Sequence, residues 1–293
     1  MSLEAKAGMA AEVLLEERRV AARPAVPGFF REFFGTDQDA KDGTEGAERL
    51  RGILAEAVPY YWAAEQCRIV ERVGRSVPLT WTPLAESFET TAGFFWFARC
   101  FGIAVPKSLR VDLRAVAWRL EPDALWLVWY CETNAEAGTV PMGLMRWQLH
   151  QSLGEALEAL DALAPPGYRE DGTLSAQAQW VRFSAAAFAF LEQRILLTRR
   201  VRPARAVRRR LPAPLREDWL RVVVLRRQVH LGPTAAGAGE VAWSCRWLVR
   251  GHWREQWFPS VGRHRPIFVL PYEKGPEDKP LKLPGATIFA VRR

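Results

Sequence analysis

Cysteine, histidine and methionine each occur only four times in 293 residues. The cysteines, Cys67, Cys100, Cys131 and Cys245, are widely spaced and form no C-x-x-C pair. That argues against a disulfide framework and a zinc site, and for a reducing interior. No apolar run approaches the roughly 18 residues of a membrane span. The first twenty residues carry Glu4, Glu12, Glu16 and Glu17 in place of a signal-length apolar core, so a cytoplasmic protein without a membrane partner is expected. Phosphate-loop, dinucleotide-fingerprint, nucleophile-elbow and H-E-x-x-H patterns are missing as well. No cofactor and no metal site are expected.

Acidic residues are scarce toward the C-terminus. Between residues 199 and 293 there are 21 Lys and Arg against 7 Asp and Glu, while the preceding 198 residues carry a small acidic excess. One end of the chain is therefore suited to an anion, and nucleic acid is the commonest polyanion in a cytoplasm. The bland reading is an arginine-rich composition spread over ordinary solvated faces. Carboxylates are also too few there for a two-metal nuclease.

What is abundant is apolar and aromatic. The chain is 49% hydrophobic and has 13 tryptophans, enough for a substantial core. Its length exceeds the roughly 100–200 residues of one domain. Apolar spacing predicts a helix from Leu3 to Arg19, a docking arm or a frayed tail. A Phe29, Phe30, Phe33 and Phe34 knot and a polar loop from Asp37 to Gly46 come next. A second helix starts near Thr44, and Tyr60 to Val73 resumes a helical pattern. Leu79-Thr80-Trp81, Gly93 to Phe101, Leu109 to Leu120 and Ala124 to Cys131 read as strands of an antiparallel sheet with helices on one face. Leu144 to Leu163 and Ser175 to Arg199 read as helices, the latter the longest of the chain.

The segment 199–214 carries Arg208, Arg209 and Arg210 among its arginines. It is either a solvated hinge or an electrostatic arm along a phosphate backbone. The expected organisation is an N-terminal arm (1–43), an acidic α+β domain (44–198), an Arg-rich linker (199–214) and a small basic antiparallel β domain (215–293), an α+β protein overall. The β domain contains a Gly-Ala loop over 232–239 and a closing strand over 287–291.

Its focal stretch is Val241 to Tyr272. Val241, Trp243, Cys245, Trp247 and Val249 alternate with Ser244, Arg246 and Arg250, and a strand continuing through Gly251 puts His252, Arg254 and Gln256 on the polar side. Trp253 and Trp257 continue the apolar side, and Arg263, His264 and Arg265 follow a turn. Arg246, Arg250, Arg254, Gln256, Arg263 and Arg265 suit phosphates, and Trp253 or Trp257 a stacked base. Metal-independent RNA cleavage needs a general base, a general acid and a cation, for which His252, His264 and Lys274 are the right residue types. A strand pair turning at 258–263 lets the two histidines face one another; otherwise each is a surface or phosphate-contacting residue.

The phrases RVVVLRR, WLVRGHWREQWFPS and HRPIFVLPYEKGPEDKPLK resemble the C-terminal region of a family of uncharacterised proteins from actinobacteria, their plasmids and their phages. The resemblance implies association with mobile elements and no particular chemistry. Three readings remain open: a nucleic-acid-binding accessory protein, a metal-independent RNase-like toxin or defence effector, and a module that binds an acidic protein partner.

Overall fold

Val58-Pro59-Tyr60-Tyr61-Trp62 is buried at every position, as a strand covered on both faces must be. The computed structural model describes residues 2–21, 39–74, 76–103, 111–133, 139–163, 176–193, 196–202, 204–210, 220–225, 244–260, 262–276 and 278–282. In it this stretch is strand β1 (Val58–Trp62), not the start of a helix. Aromatic and β-branched side chains suit a strand better than a helix. Pairing with the neighbour on one side begins only at Tyr60, so that neighbour asks nothing of the missing Pro59 N–H.

Helices α1 (Leu3–Ala21) and α2 (Asp39–Glu56) precede β1, and α3 (Ala64–Gly74) follows it. A meander of β2 (Ala92–Ile103), β3 (Val111–Leu120), β4 (Ala124–Thr133) and β5 (Thr139–Gln148) comes next. The chain then forms α4 (Leu153–Leu163), α5 (Ala176–Leu191), β6 (Leu196–Val201), α6 (Arg205–Arg210) and β7 (Leu220–Leu225). All seven strands join one sheet in the order β5-β4-β3-β2-β1-β7-β6. The sheet is mixed: β1 runs parallel to β2 and to β7, and every other pair is antiparallel. A parallel neighbour needs a crossover, and α3 is that crossover between β1 and β2.

The α+β class is as expected, but helices cover both faces of the sheet. On one face Leu14 of α1 and Leu50, Ile53 and Leu54 of α2 pack on Phe94, Ala115, Ala117, Val128 and Tyr130. On the other, Phe188 of α5 meets Phe95 at 5.1 Å and Trp118 at 5.9 Å, Phe183 stacks on Phe101, and the Trp129 indole donates to Ser184 Oγ. Such ring pairs add about 0.5–1.5 kcal/mol each beyond their buried area.

Several expected boundaries move. The N-terminal helix is no arm: Ala10, Ala11 and Leu14 are fully buried, and Arg18 donates to the carbonyls of Leu54, Ala55 and Ala57 at the end of α2. Those carbonyls belong to a helix end, where intrahelical donors run out. Part of the expected polar loop before Gly46 belongs to α2. The 144–163 helix is half strand, because Leu144 to Gln148 pair with β4, and α4 begins only after Ser152. Ser152 and Glu155 form a capping box: the Ser152 amide and hydroxyl donate to the Glu155 carboxylate, and the Glu155 amide donates back to Ser152 Oγ. That signal is present in the sequence as S-L-G-E. Leu79-Thr80-Trp81 is not a strand; the carbonyls of Leu79 and Trp81 accept the Gly154 and Leu153 amides at the start of α4. Helix α5 ends at Leu191, is shorter than α1, and gives way to β6.

The chain divides between Arg226 and Arg227. Strand β7 therefore closes the large sheet instead of opening the C-terminal β unit, and Arg199 to Val201 of the expected linker pair with it. The second unit contains β8 (Arg246–Val249), β9 (His252–Phe258), β10 (Arg263–Val269), β11 (Tyr272–Lys274) and β12 (Leu281–Lys282). The Phe29–Phe34 knot, the 232–239 loop, Val241, Trp243 and the 287–291 strand lie outside the described residues.

Two features of the large unit yield predictions. Gly93 sits directly opposite Trp118 on β3, and a Cβ there would lie 2.5 Å from the indole. Gly93→Ala is expected to cost about 2–3 kcal/mol through overpacking, visible as a lowered melting temperature; an unchanged melt would mean that the ring has room to retreat. Glu17 of α1 is 5% exposed, accepts a 2.6 Å hydrogen bond from Thr139 Oγ1, and neighbours Glu16 and the buried Tyr130. Burial pushes its carboxyl up from 4.5 to about 7. The folded state thus holds this proton more tightly than the unfolded state. Its contribution to stability is full below pH 4.5, falls as pH rises toward about 7, and is flat above that. The loss is on the order of 3 kcal/mol. Denaturant titrations across that window should show the slope in the wild type and its disappearance in Glu17→Gln.

Candidate nucleic-acid interface

The focal stretch is not one continuous strand. Gly251 separates β8 from β9, and a Cβ on it would lie 2.8 Å from the Phe268 ring and 3.0 Å from Pro271. Phe268 occupies the space that a side chain at this position would need. The halves then pair separately: β8 lies between β11 and β12, and among the described strands β9 pairs with β10 alone. The β9–β10 turn contains Gly262 at φ +62°, in the left-handed region that favours glycine.

Register decides what this ribbon presents. Val269 lies opposite His252, Ile267 opposite Arg254, Arg265 opposite Gln256, and Arg263 opposite Phe258. Directly opposed residues share a face and neighbours along a strand alternate. One face therefore carries His252, Arg254, Gln256, Phe258, Arg263, Arg265, Ile267 and Val269. The other carries Trp253, Glu255, Trp257, His264, Pro266 and Phe268. Three arginines and no acid sit on the first face; the one acid of the two strands, Glu255, is on the second.

The basic face is partly organised from within. Arg254 Nη2 donates to Gln256 Oε1 at 2.8 Å, Gln256 Nε2 donates to the Trp257 carbonyl, and the Arg265 guanidinium lies 5.9 Å from the centre of the Phe258 ring. Phe258 belongs to this surface although the sequence pattern did not select it. Its parity with Arg254 and Gln256 is the signal that one more step of the alternation would have found. Arg250, exposed, precedes the ribbon, and its carbonyl accepts from His252 Nδ1 at 2.9 Å.

The two histidines do not face one another. His252 pairs at the end away from the turn, and His264 pairs with Trp257 near it. Five residue steps separate those levels, about 17 Å at the rise of a strand, and the side chains leave opposite faces. A base and an acid acting on one phosphodiester need contact with the same few atoms. The register does not bring the expected acid–base pair together. Lys274 lies in the other sheet, opposite Trp247, with its ammonium 6.0 Å from that ring. The Gly275 that follows it has φ +118° and approaches the Cys245 carbonyl so closely that only glycine fits, so the Lys-Gly-Pro turn is an element of the fold.

Arg246 is also committed internally. Its guanidinium pairs with Glu273 at 3.0 Å and donates to the Lys279 carbonyl, tying β8 to β11 and to the approach to β12. Arg208, Arg209 and Arg210 belong to the other unit, on α6. Arg210 is paired with Glu12 of α1 and Arg208 is half-buried. Through Arg210 this helix meets α1, unlike the free linker expected for it.

Elsewhere in the large unit, a cleft walled by Tyr60, Phe88, Trp118 and Phe188 and rimmed by Glu89 and Glu192 encloses about 40 Å³. That is room for about three waters. All four cysteines are free thiols. Burial pushes Cys67 up to about 11 and Cys100 up to about 12, so they are not poised as nucleophiles. No described helix is long and apolar enough to cross a membrane. No protein-family model matches the chain, and neither does any curated protein.

Separated imidazoles carry a direct expectation. Labelled RNA incubated with the wild-type protein in EDTA should remain intact over hours. Cleavage that disappears in both His252→Ala and His264→Ala would overturn the register argument.

Proposed function

We propose that the chain is a nucleic-acid-binding accessory protein whose C-terminal unit meets the phosphate backbone through the basic face of the β9–β10 ribbon. The observation that carries this reading is the sorting of charge across a two-stranded ribbon. Arg254, Arg263 and Arg265 share one face with His252 and Gln256, and the single acid of the strands is turned away. Arg254 and Arg263 are exposed and Arg265 is partly so. Guanidinium groups at strand spacing suit a polyanion, because each phosphate neutralised releases a counterion and the gains accumulate. A mobile-element setting is what the resemblance of the C-terminal phrases implies. The separation of His252 and His264 favours binding over the RNase reading. An acidic protein partner remains the competing occupant of the same face.

Fluorescence anisotropy of a labelled oligonucleotide at two ionic strengths tests the proposal. Micromolar or tighter binding that weakens steeply with salt is expected. Arg254→Ala and Arg263→Ala should each weaken it severalfold across different sequences and lower the salt slope by about one. Arg246→Ala, whose guanidinium is held by Glu273, should lower the melting temperature of the unit more than it alters that slope. Binding that is absent at low salt, or indifferent to salt, would assign the face to a protein partner.

A further inference from the structure

We infer that the nucleic acid taken by the β9–β10 ribbon is single-stranded, with Trp257 and His264 forming the platform against which an unpaired base stacks. The inference rests on the phosphate-binding reading of the opposite face.

The two tryptophans of the ring-bearing face have different surroundings. Trp253 meets Phe268 edge-on at 5.3 Å, and Phe268 is only 8% exposed, so this pair is the ribbon's own packing. Trp257, next to the turn, is 47% exposed and lies against His264, also exposed, at 5.1 Å. Among the described residues Trp257 is the one tryptophan left exposed, so its ring is open to a ligand. The charges say which part of a nucleotide belongs there. Glu255, the one acid of the two strands, shares the face with Trp257, whereas Arg263, adjacent to His264 in the chain, opens the basic face. A backbone following the arginines past the end of the ribbon therefore places a base, not a phosphate, on Trp257. In a duplex the bases are stacked on each other and show only their edges in the grooves, so a ring platform gains nothing from them. An unpaired base offers its whole π-face to any aromatic ring, whatever its identity.

The test compares a labelled oligouridylate, an abasic strand with the same number of phosphates, and a blunt duplex matched in charge. The full-length wild type should bind the oligouridylate about tenfold more tightly than either of the others. Trp257→Ala should lose that preference, weakening single-strand binding by about 5- to 100-fold with little change in salt slope. Trp257→Phe, which keeps a ring and guards against a folding defect in the alanine variant, should retain most of it. Equal affinity of the wild type for all three probes would overturn the single-strand inference and leave phosphate binding standing. So would a Trp257→Ala protein that binds oligouridylate like the wild type. Failure to bind any probe at low salt would bring down the phosphate-binding reading and this inference together.

Discussion

The large unit depends on the parallel pairings of β1. This five-residue strand joins the four-stranded meander on one side to β7 and β6 on the other. Without it the sheet would be two antiparallel fragments. Parallel pairing also dictates the layers. A strand with parallel neighbours on both sides has no solvent-facing side, and helices must cover it twice. Helix α3 serves one face because it is the crossover to β2. Helices α1 and α2, which precede β1, are left to serve the other, and the burial of Leu14, Leu50 and Ile53 against Phe94 and Tyr130 follows.

Close approach at glycine recurs where large rings must be fitted. Trp118 lies over Gly93 and Trp129 crowds Gly143 across neighbouring strands. In the second unit Phe268 fills the space beside Gly251, between the strand that pairs with β11 and β12 and the strand that pairs with β10. Ring packing thus requires glycine at Gly93 and Gly143 in the first unit and at Gly251 in the second.

Both units contain local ion pairs, and the ribbon of the second also sorts its charges by face. In the first, arginines are neutralised locally: Arg49 pairs with Glu121, Arg114 with Glu132, Arg146 with Asp123 and Arg210 with Glu12. In the second, Arg246 is spent on holding β8, while the ribbon sends its arginines and its only acid to opposite faces. A net count of positive charge over 199–293 merges these two situations. Only part of that excess belongs to the surface that carries the functional proposal.

The sequence by itself determined the α+β class, the alternation that puts Arg254 and Gln256 opposite Trp253 and Trp257, the turn at Gly262, and the lack of paired cysteines. These are local properties, set by period, composition and turn chemistry within a few residues. Tertiary structure alone decided that Val58–Trp62 is a strand, that the N-terminal helix is core, that β7 belongs to the large sheet, and that His252 and His264 part company. Each of these turns on a partner distant in sequence. Periodicity over five apolar residues cannot tell a buried strand from a helix, and the strand propensity of this run takes effect only between its two parallel neighbours. Two histidines twelve positions apart meet or separate according to the pairing register, because one step of register moves a side chain to the other face.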